Sequence, residues 1–321
     1  MVELKAENIF IEKYRPRKLD DIVGQDRITS KFKGFAKTGK IPHMLLSGPA
    51  GTGKTTSVLA LLHELYGENW HRYFLEMNAS DEGGVGDIRK KVKEFIDISA
   101  VEVVFKVVYL DECDALTPEA QAILRRIMEK YAYKIRFALS CNYPHKIIEP
   151  IQDRCAQFRF RPIRMEDMLV LLRDISKKEQ INITPAAIST LASLSKGSMR
   201  KPLNVLEVIK SSGVTSVDET AIYEYTYWVN YEEIERLIQH IADKDLKAVE
   251  SRCKDMIFEK TYSIDEILEA LGEVIQSTKS LKDDIKLEAY DKLEELSYHV
   301  SRGSNPYLTL RGFCAHIMKL V

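Results

Sequence analysis

A glycine-rich octapeptide at residues 48–55 constrains the fold of this chain more than any other feature. A short apolar run at 44–47, typical of a strand, precedes it, and an apolar helical pattern at 56–66 follows it. In that context the octapeptide is typical of a phosphate-binding loop (P-loop), whose glycines let backbone N–H groups turn inward around a phosphate. Its residues are Gly48, Pro49, Ala50, Gly51, Thr52, Gly53, Lys54 and Thr55.

The last two residues of the loop carry side chains suited to a nucleotide. We expect Lys54 to reach the β- and γ-phosphate oxygens and Thr55 to ligate Mg²⁺. The following helix adds the positive end of its dipole at the same place. The sequence therefore predicts ATP and Mg²⁺ as cofactors, with an ordinary strand-to-helix turn as the alternative.

The composition excludes some classes of protein. With 321 residues, 45% of them hydrophobic and 30% charged, the chain is long enough for two or three globular domains. Its 47 basic and 48 acidic residues give a net charge of -1, so a nucleic-acid site must be a local basic stripe. The sequence has neither an N-terminal signal pattern nor an apolar run of roughly 20 residues, so we expect an intracellular protein without membrane spans.

The cysteines are widely spaced and form no Cys-x-x-Cys pair. We therefore expect reduced structural thiols rather than a disulfide framework or a metal site. The five residues are Cys113, Cys141, Cys155, Cys253 and Cys314.

Strand-like and helical patterns alternate through the first half of the chain. This alternation predicts an α/β fold, with a parallel sheet and helices on both of its faces. The strand-like runs lie at 44–47, 73–77, 103–110, 135–140 and 157–160. Strand patterns cease after Pro162, and residues 165–228 have helical patterns, including a helix that opens at Thr184 and Pro185.

The remaining C-terminal third is again helical. Apolar residues recur there at helical spacing, at Ile234, Leu237, Ile238 and Ile241. Ser263 and Glu266 form a predicted capping box. We predict three domains: a P-loop core at 1–163, a small helical lid at 164–229, and an all-helical collar at 230–321.

Two further strand-like runs end in polar residues. Asp111 and Glu112 end the run at 103–110, and Asn142 follows the run at 135–140. Because ligands collect at the carboxyl ends of strands in an open α/β sheet, we expect Asp111 to hold Mg²⁺ and Glu112 to polarise the water that attacks the γ-phosphate. Asn142 could orient that water. Taken alone, the acidic pair is equally typical of a helix N-cap, and Asn142 is more typical of an ordinary turn residue than of a catalytic one.

These elements occur in an order that resembles an AAA+ ATPase, with Gly197, Ser198, Met199 and Arg200 in the helical region. The resemblance is closer to one family, the small subunit of replication factor C, the clamp loader. It rests on six segments: 12–16 (EKYRP), 23–25 (VGQ), 78–82 (NASDE), 124–129 (LRRIME), 140–143 (SCNY) and 148–152 (IEPIQ). The ungapped core favours an archaeal member.

The resemblance implies an assembly and its partners. Members of the family form a five-subunit ring, held together by C-terminal collar domains, which opens a PCNA-type sliding clamp and closes it around primer–template DNA on ATP hydrolysis. This chain would bind a large subunit, other small subunits, the clamp and DNA, and no membrane. An archaeal member would be cytoplasmic, and a eukaryotic one nuclear.

Further site residues follow from the resemblance. Arg200 looks like the sensor that contacts the γ-phosphate from the lid of its own subunit. Arg154 occupies the arginine-finger position and would act in trans on a neighbour's ATP, where a planar guanidinium suits charge spread over phosphoryl oxygens. Taken alone, Arg154 would be an ordinary surface arginine. Arg15, Val23 and Gly24 resemble the adenine-side wall, a role compatible with that of an N-terminal packing arm.

A basic stripe on the predicted helix at 86–96 is the candidate DNA contact. Arg89, Lys90 and Lys93 lie off the apolar face of this helix. Such a stripe is usually a solvated charged face, but the resemblance favours contact with the DNA backbone, independent of base sequence. The helix at 117–130 could touch the clamp or pack within the chain.

Several positions depart from the family pattern. Gly83 stands where arginine is usual, Asp153 where serine is usual before the finger arginine, and Ser198 where aspartate is usual. Asp153 could pair with Arg154 or alter its approach to phosphate. Together these departures indicate a divergent or second small-subunit paralogue, with tuned rather than absent hydrolysis.

We therefore predict an ATPase subunit of a replication clamp loader. One alternative is a nucleotide-binding scaffold subunit with weak or no hydrolysis, which Glu112 and Asn142 disfavour. Another is a different AAA+ machine, such as a branch-migration motor. The lack of a recognisable C-terminal winged helix disfavours it.

Overall fold

The computed structural model describes residues 9–80, 85–97, 105–226 and 228–321. The chain divides into two compact units, Met1–Ser216 and Val217–Val321. Each unit has its own hydrophobic core. The domain boundaries inferred from the sequence, at 163 and 229, stay predictions.

A sheet of five parallel strands organises the first unit, in the order β2-β3-β4-β1-β5. The strands are β1 (Met44–Ser47), β2 (Phe74–Asn78), β3 (Lys106–Asp111), β4 (Ile135–Cys141) and β5 (Ala156–Arg159). Each strand-like run in the sequence overlaps one of them, although residues 103 and 104 lie outside the described residues. The predicted α/β class is confirmed.

Helices cover both faces of the sheet because successive strand residues point to opposite sides. Leu46 and Tyr109 belong to a core cluster shared with α2 (Asp26–Thr38) and α3 (Lys54–Tyr66). Leu45 and Leu110 belong to a second cluster, shared with α4 (Val85–Asp97) and α5 (Pro118–Tyr131). The two helical layers leave the carboxyl ends of the strands at one edge of the sheet, where the P-loop lies.

The first unit contains further helices before, between and after the strands of the sheet. Its other helices are α1 (Phe10–Lys13), α6 (Glu149–Gln152), α7 (Met165–Lys178), α8 (Pro185–Leu194) and α9 (Arg200–Ser211), with 3₁₀ turns at Leu19–Asp21, Gly67–Tyr73, Cys113–Ala115 and Pro144–Lys146. The predicted start of α8 is confirmed, because the Thr184 side chain accepts a hydrogen bond from the Ala187 N–H at 3.2 Å and Pro185 occupies the first turn.

The segment at residues 9–16, here called the N-terminal arm, packs against these helices. The backbone N–H of Phe10 donates to Glu207 Oε2 at 2.9 Å. The side chains of Lys13 and Tyr14 both donate to the carboxylate of Glu179. These contacts hold the arm where it can form one wall of the site.

The second unit is all-helical in its described residues. It contains α10 (Glu219–Thr226), α11 (Tyr231–Ala242), α12 (Leu246–Lys254), α13 (Ile264–Ser277), α14 (Asp283–Val300) and α15 (Pro306–Leu320), with a π-helical turn at Asp255–Glu259. The predicted apolar face of α11 is buried, as expected.

The predicted capping role of the Ser263 side chain, in the second unit, is wrong. Ser263 precedes α13, but its side chain makes no capping hydrogen bond. Instead, the Ser263 carbonyl oxygen accepts from the Ile267 N–H at 3.0 Å. Burial of Ile264 and Ile267 in the core fixes the start of the helix without a side-chain cap.

All five cysteines are buried and unbridged. Cys253 and Cys314, 61 positions apart in sequence, place their Sγ atoms 3.9 Å apart in the second unit, a proximity that their spacing did not reveal. Within the described parts of the chain, no helix is long and apolar enough to cross a membrane.

Candidate functional site

A cavity of about 280 Å³ opens beside the P-loop in the first unit. It brings together residues that are far apart in sequence. Of the residues expected at the site, it is lined by Arg15, Val23, Ala50, Gly51, Thr52, Gly53, Lys54, Thr55, Asp111, Glu112, Asn142 and Arg200. Gly24, Gly48 and Pro49 adjoin this lining in sequence without contributing to it.

The glycines of the loop are required by its backbone and by its neighbours. Gly48 has a φ of 144°, and a Cβ at this position would lie 2.4 Å from the Phe160 carbonyl oxygen. Gly51 has a φ of 74°, and a Cβ there would lie 2.0 Å from Ser198 Oγ. Only glycine fits where the loop packs against Phe160 and Ser198, and this packing holds the loop in a conformation whose backbone N–H groups can surround a phosphate.

Lys54 lies inside the loop with its ammonium group fully engaged. Its Nζ donates to the carbonyl oxygens of Gly48 at 2.6 Å and Pro49 at 3.0 Å, and to Asn142 Oδ1 at 3.1 Å. Burial lowers the pKa of this ammonium, and the nearby Asp111 carboxylate opposes the shift. Lys54 therefore joins the P-loop to the end of β4.

The Thr55 side chain is hydrogen-bonded to a residue of the sheet. Its Oγ1 lies 2.7 Å from the hydroxyl oxygen of Tyr109, in the middle of β3. Sequence reasoning missed this contact because Tyr109 lies within an apolar strand pattern and looks like an ordinary core residue.

The acidic pair after β3 has an unusual backbone. Asp111 ends the strand, and its Oδ1 accepts a hydrogen bond from the Glu112 N–H at 3.0 Å. Glu112 has a φ of 53°, in the left-handed region that a non-glycine residue rarely occupies. Ser80, after β2, donates from its Oγ to Glu112 Oε2 at 2.7 Å. Such strain is concentrated at functional sites.

Asn142 reaches the site because β3 and β4 are neighbours in the sheet. Asp114 fixes the turn that carries it, since Asp114 Oδ2 accepts from the backbone N–H groups of Asn142 at 3.2 Å and Tyr143 at 3.0 Å. Asp114 is a further site residue that the sequence reasoning did not identify.

Arg200 begins α9 and lines the cavity opposite the strands. The residue before it, Met199, donates its N–H to the Gly51 carbonyl oxygen at 3.1 Å. The start of α9 is therefore bonded directly to the P-loop.

A mainly apolar wall closes the other side of the cavity, and Arg15 of the N-terminal arm is one of its polar members. Behind this wall, the buried side-chain amide of Gln25 donates to the carbonyl oxygens of Thr52 at 3.2 Å and Arg161 at 2.8 Å. Apolar side chains line this wall, namely Ile11, Ile22, Val23, Ile163, Leu171, Ile175 and Leu203. Residues on α7 and α9 were missed because their helical spacing is equally typical of core packing.

Arg154 lies outside the cavity. Its Nη2 forms an ion pair with Glu129 Oε1 at 2.7 Å, and its Nη1 donates to the Pro150 carbonyl oxygen at 2.6 Å. The partner of Arg154 is therefore Glu129, and the suggested pairing with Asp153 is wrong. The reason is that α5 brings the longer Glu129 side chain alongside the end of α6.

The basic stripe is on α4, where Arg89, Lys90 and Lys93 are all exposed. Ile88 and Val92 are fully buried on the opposite face, as the spacing predicted. Gly83 and the last two residues of the segment at 78–82 lie outside the described residues.

Two family models match the chain. One, described as ATPase family associated with various cellular activities (AAA), matches residues 44–163, and the other, described as Replication factor C C-terminal domain, matches residues 229–316.

Curated relatives match almost the whole chain. The Replication factor C small subunit of Archaeoglobus fulgidus is 42% identical over 97% of this chain and 98% of its own. The proteins of the same name from Haloarcula marismortui and Sulfurisphaera tokodaii are 39% and 40% identical, over 97% and 98% of this chain and 95% and 97% of their own.

A solved structure supports the architecture. The Thermotoga maritima RuvB Holliday junction branch migration motor matches 87% of this chain and 98% of its own, with a TM-score of 0.56 and 16% identity. At that identity the likeness shows a shared AAA+ fold and nothing about the reaction.

Proposed function

Because this chain belongs to the replication factor C small-subunit family of archaea, we propose that it binds and hydrolyses ATP in this cavity and so helps load a PCNA-type sliding clamp onto primer–template DNA. Membership makes it a clamp-loader subunit with an AAA+ fold. The observation that carries the rest is the convergence of the P-loop, Asp111, Glu112, Asn142 and Arg200 on one cavity. In an archaeal cell the activity would be cytoplasmic.

The residues of the cavity fit a magnesium nucleotide. The glycine loop has a conformation suited to a phosphate, and side chains at Gly48 and Gly51 would collide with Phe160 and Ser198 and displace it. Thr55 and Asp111 offer hard oxygen donors, which Mg²⁺ prefers. When bound between them, Mg²⁺ would neutralise charge on the phosphates. The apolar wall with Arg15 and Val23 would take the adenine, and Gly24 would support Val23 from outside the lining.

Three groups would act on the γ-phosphate from within this chain. Lys54 would supply a positive charge, and its bond to Asn142 supports a shared role at the same phosphate. Arg200 would approach from α9. Asn142 would help orient the attacking water, as its position at the end of β4 favours.

Glu112 would polarise that water, and the hydrogen bond from Ser80 would restrain the Glu112 carboxylate. A carboxylate that accepts a hydrogen bond from Ser80 at 2.7 Å is directed towards β2. The bond to Ser80 occupies Oε2 and restrains the carboxylate, so Glu112 would act on water through its other oxygen or after the Ser80 bond is broken.

Contacts with partners would lie outside the cavity. Arg154, exposed at the end of α6, would act on the ATP of a neighbouring subunit, and the helical second unit would form the collar. Arg89, Lys90 and Lys93 would contact the DNA backbone from α4. The exposed Ile123 on α5 supports a clamp contact by that helix.

The test is reconstitution with a large subunit, a PCNA-type clamp and primer–template DNA. Lys54→Ala should abolish clamp loading, and Glu112→Gln should bind ATP but show no single-turnover hydrolysis. Unchanged loading by Lys54→Ala would contradict the proposal. Equal hydrolysis by the wild type and Glu112→Gln would favour the scaffold alternative.

A further inference from the structure

The hydroxyl of Tyr109 is the only part of that side chain that core packing does not explain. Tyr109 lies at the centre of β3 and is 0% exposed, in a cluster of apolar residues. Phenylalanine would supply the same ring to this cluster. A buried hydroxyl is unfavourable unless it finds a partner. Thr55 Oγ1 lies 2.7 Å from the Tyr109 hydroxyl oxygen, and the Ser140 hydroxyl also interacts with it.

Thr55 has no carbonyl of its own helix to bond. In a helix, a serine or threonine hydroxyl can bond the carbonyl four residues earlier, as Ser57 Oγ does with the Gly53 carbonyl oxygen at 2.8 Å. The residue four before Thr55 is Gly51, which lies in the loop ahead of α3, and its carbonyl oxygen accepts from the Met199 N–H. The Thr55 rotamer instead directs its hydroxyl to Tyr109.

That rotamer matters because a hydroxyl has one proton and two lone pairs. A threonine that ligates a cation turns a lone pair to the metal, and its proton then needs an acceptor on another side. The Tyr109 oxygen is such an acceptor. Tyr109 and Asp111 are two residues apart on β3 and so point to the same face of the sheet, beside Thr55.

We propose that Tyr109 is a positioning residue for the metal, which orients Thr55 Oγ1 through the hydrogen bond between their hydroxyls. The inference rests on the proposed nucleotide function and adds a residue beneath the P-loop to it. Partners that orient a metal ligand typically contribute about 10- to 100-fold in metal affinity.

The test compares Tyr109→Phe with the matched control Tyr66→Phe in the full chain. Tyr66 lies on α3, and its hydroxyl donates to the Phe105 carbonyl oxygen at 2.9 Å, away from the cavity lining. Both substitutions delete one bonded hydroxyl. Thermal unfolding of each variant reports the structural effect of that deletion.

The readout is the binding of Mn²⁺ to the ADP-bound protein, measured by electron paramagnetic resonance. Tyr109→Phe should raise the Mn²⁺ Kd by roughly tenfold, while ADP affinity in excess EDTA stays as in the wild type. Tyr66→Phe should change neither quantity. An unchanged Mn²⁺ Kd in Tyr109→Phe would overturn the inference, as would an equal loss of ADP affinity in EDTA, which would indicate general damage to the site.

A second measurement needs no variant. With ¹³C at the tyrosine Cζ atoms of the wild type, Mg²⁺ added to the ADP complex should shift the resonance of one solvent-shielded tyrosine, and no such shift would contradict the inference. If the wild type binds no ADP at all, the proposed function itself fails. If it binds ADP but Tyr109→Phe binds Mn²⁺ as the wild type does, only the inference about Tyr109 fails.

Discussion

The guanidinium of Arg154 is ion-paired with Glu129 of its own subunit, with Nη2 and Oε1 2.7 Å apart. A second hydrogen bond, from Nη1 to the Pro150 carbonyl oxygen, also holds the same guanidinium. The proposed arginine finger is thus held on the surface of the subunit that carries it. Reaching a neighbour's phosphate would mean exchanging the Glu129 carboxylate for another anion.

Arg154→Ala should therefore separate binding from hydrolysis. ATP affinity of the isolated chain should not change, because Arg154 does not line its own cavity. Hydrolysis by the assembled complex should fall by about 10³-fold if the residue acts in trans. The assays are nucleotide titration of the chain and single-turnover ATPase of the complex.

Arg164→Ala is the matched control for Arg154→Ala. Arg164 is an exposed arginine in a surface ion pair with Asp167 at 2.8 Å, and its loss should leave both assays unchanged. Wild-type hydrolysis by an Arg154→Ala complex would exclude the proposed role.

Ser80→Ala should increase hydrolysis in the absence of DNA. The substitution removes the hydroxyl that bonds Glu112 Oε2 and leaves the carboxylate free to approach water. Since Ser80 is exposed, we expect a modest gain of roughly fivefold, equivalent to about 1 kcal/mol. The steady-state ATPase rate of the complex without clamp or DNA measures it, and Ser80→Thr, which keeps a hydroxyl, should stay near the wild-type rate. A slower Ser80→Ala enzyme would mean that Ser80 supports Glu112 rather than restraining it.

Gly51→Ala should destabilise the first unit. Alanine at a φ of 74° is strained, and its Cβ would lie 2.0 Å from Ser198 Oγ and 3.1 Å from Ser198 Cβ, so the Ser198 side chain must rotate away and its neighbours must yield slightly. We expect a loss of about 1–3 kcal/mol in the free energy of unfolding, measured by urea denaturation. Gly34→Ala, in α2 with no atom within 4 Å of the added Cβ, should instead stabilise by up to about 1 kcal/mol. Equal effects at both positions would contradict the packing argument.

His43 should make stability fall in mild acid. Burial, aided by the Arg136 charge, lowers the pKa of the His43 imidazole to about 4, and its Nδ1 accepts a hydrogen bond from the Phe137 N–H at 3.0 Å. The unfolded chain, with an ordinary histidine pKa near 6.5, binds the proton first, so stability is lost as the pH falls from about 6.5 towards 4.

Between pH 7 and pH 5 this group should remove about 2 kcal/mol from the free energy of unfolding. Urea denaturation at the two pH values measures the change, and His43→Gln should show a smaller drop because glutamine does not titrate. An identical drop in the variant would assign the acid sensitivity to other groups.

Local patterns were enough to predict the strands, the glycine-rich loop between β1 and α3, and the placement of Asp111 and Asn142 at the same edge of the sheet. Each of those depends on periodicity or on the rule that parallel strands end at one edge. The contacts that sequence reasoning missed join side chains from distant elements: Ser80 with Glu112, Tyr109 with Thr55, and Glu129 with Arg154. The packing of the sheet and helix layers decides which side-chain rotamers come into contact. The spacing of residues along the chain does not reveal these contacts.

The hydrogen bond between Gly51 and Met199 has a mechanical consequence. A single hydrogen bond joins Gly51 to Met199, the residue before α9, and Ser198 packs close to Gly51. A movement of the loop would therefore be transmitted to the helix that begins at Arg200. If Arg200 contacts the nucleotide as proposed, occupancy of the cavity and the position of α9 would be coupled through this one peptide group.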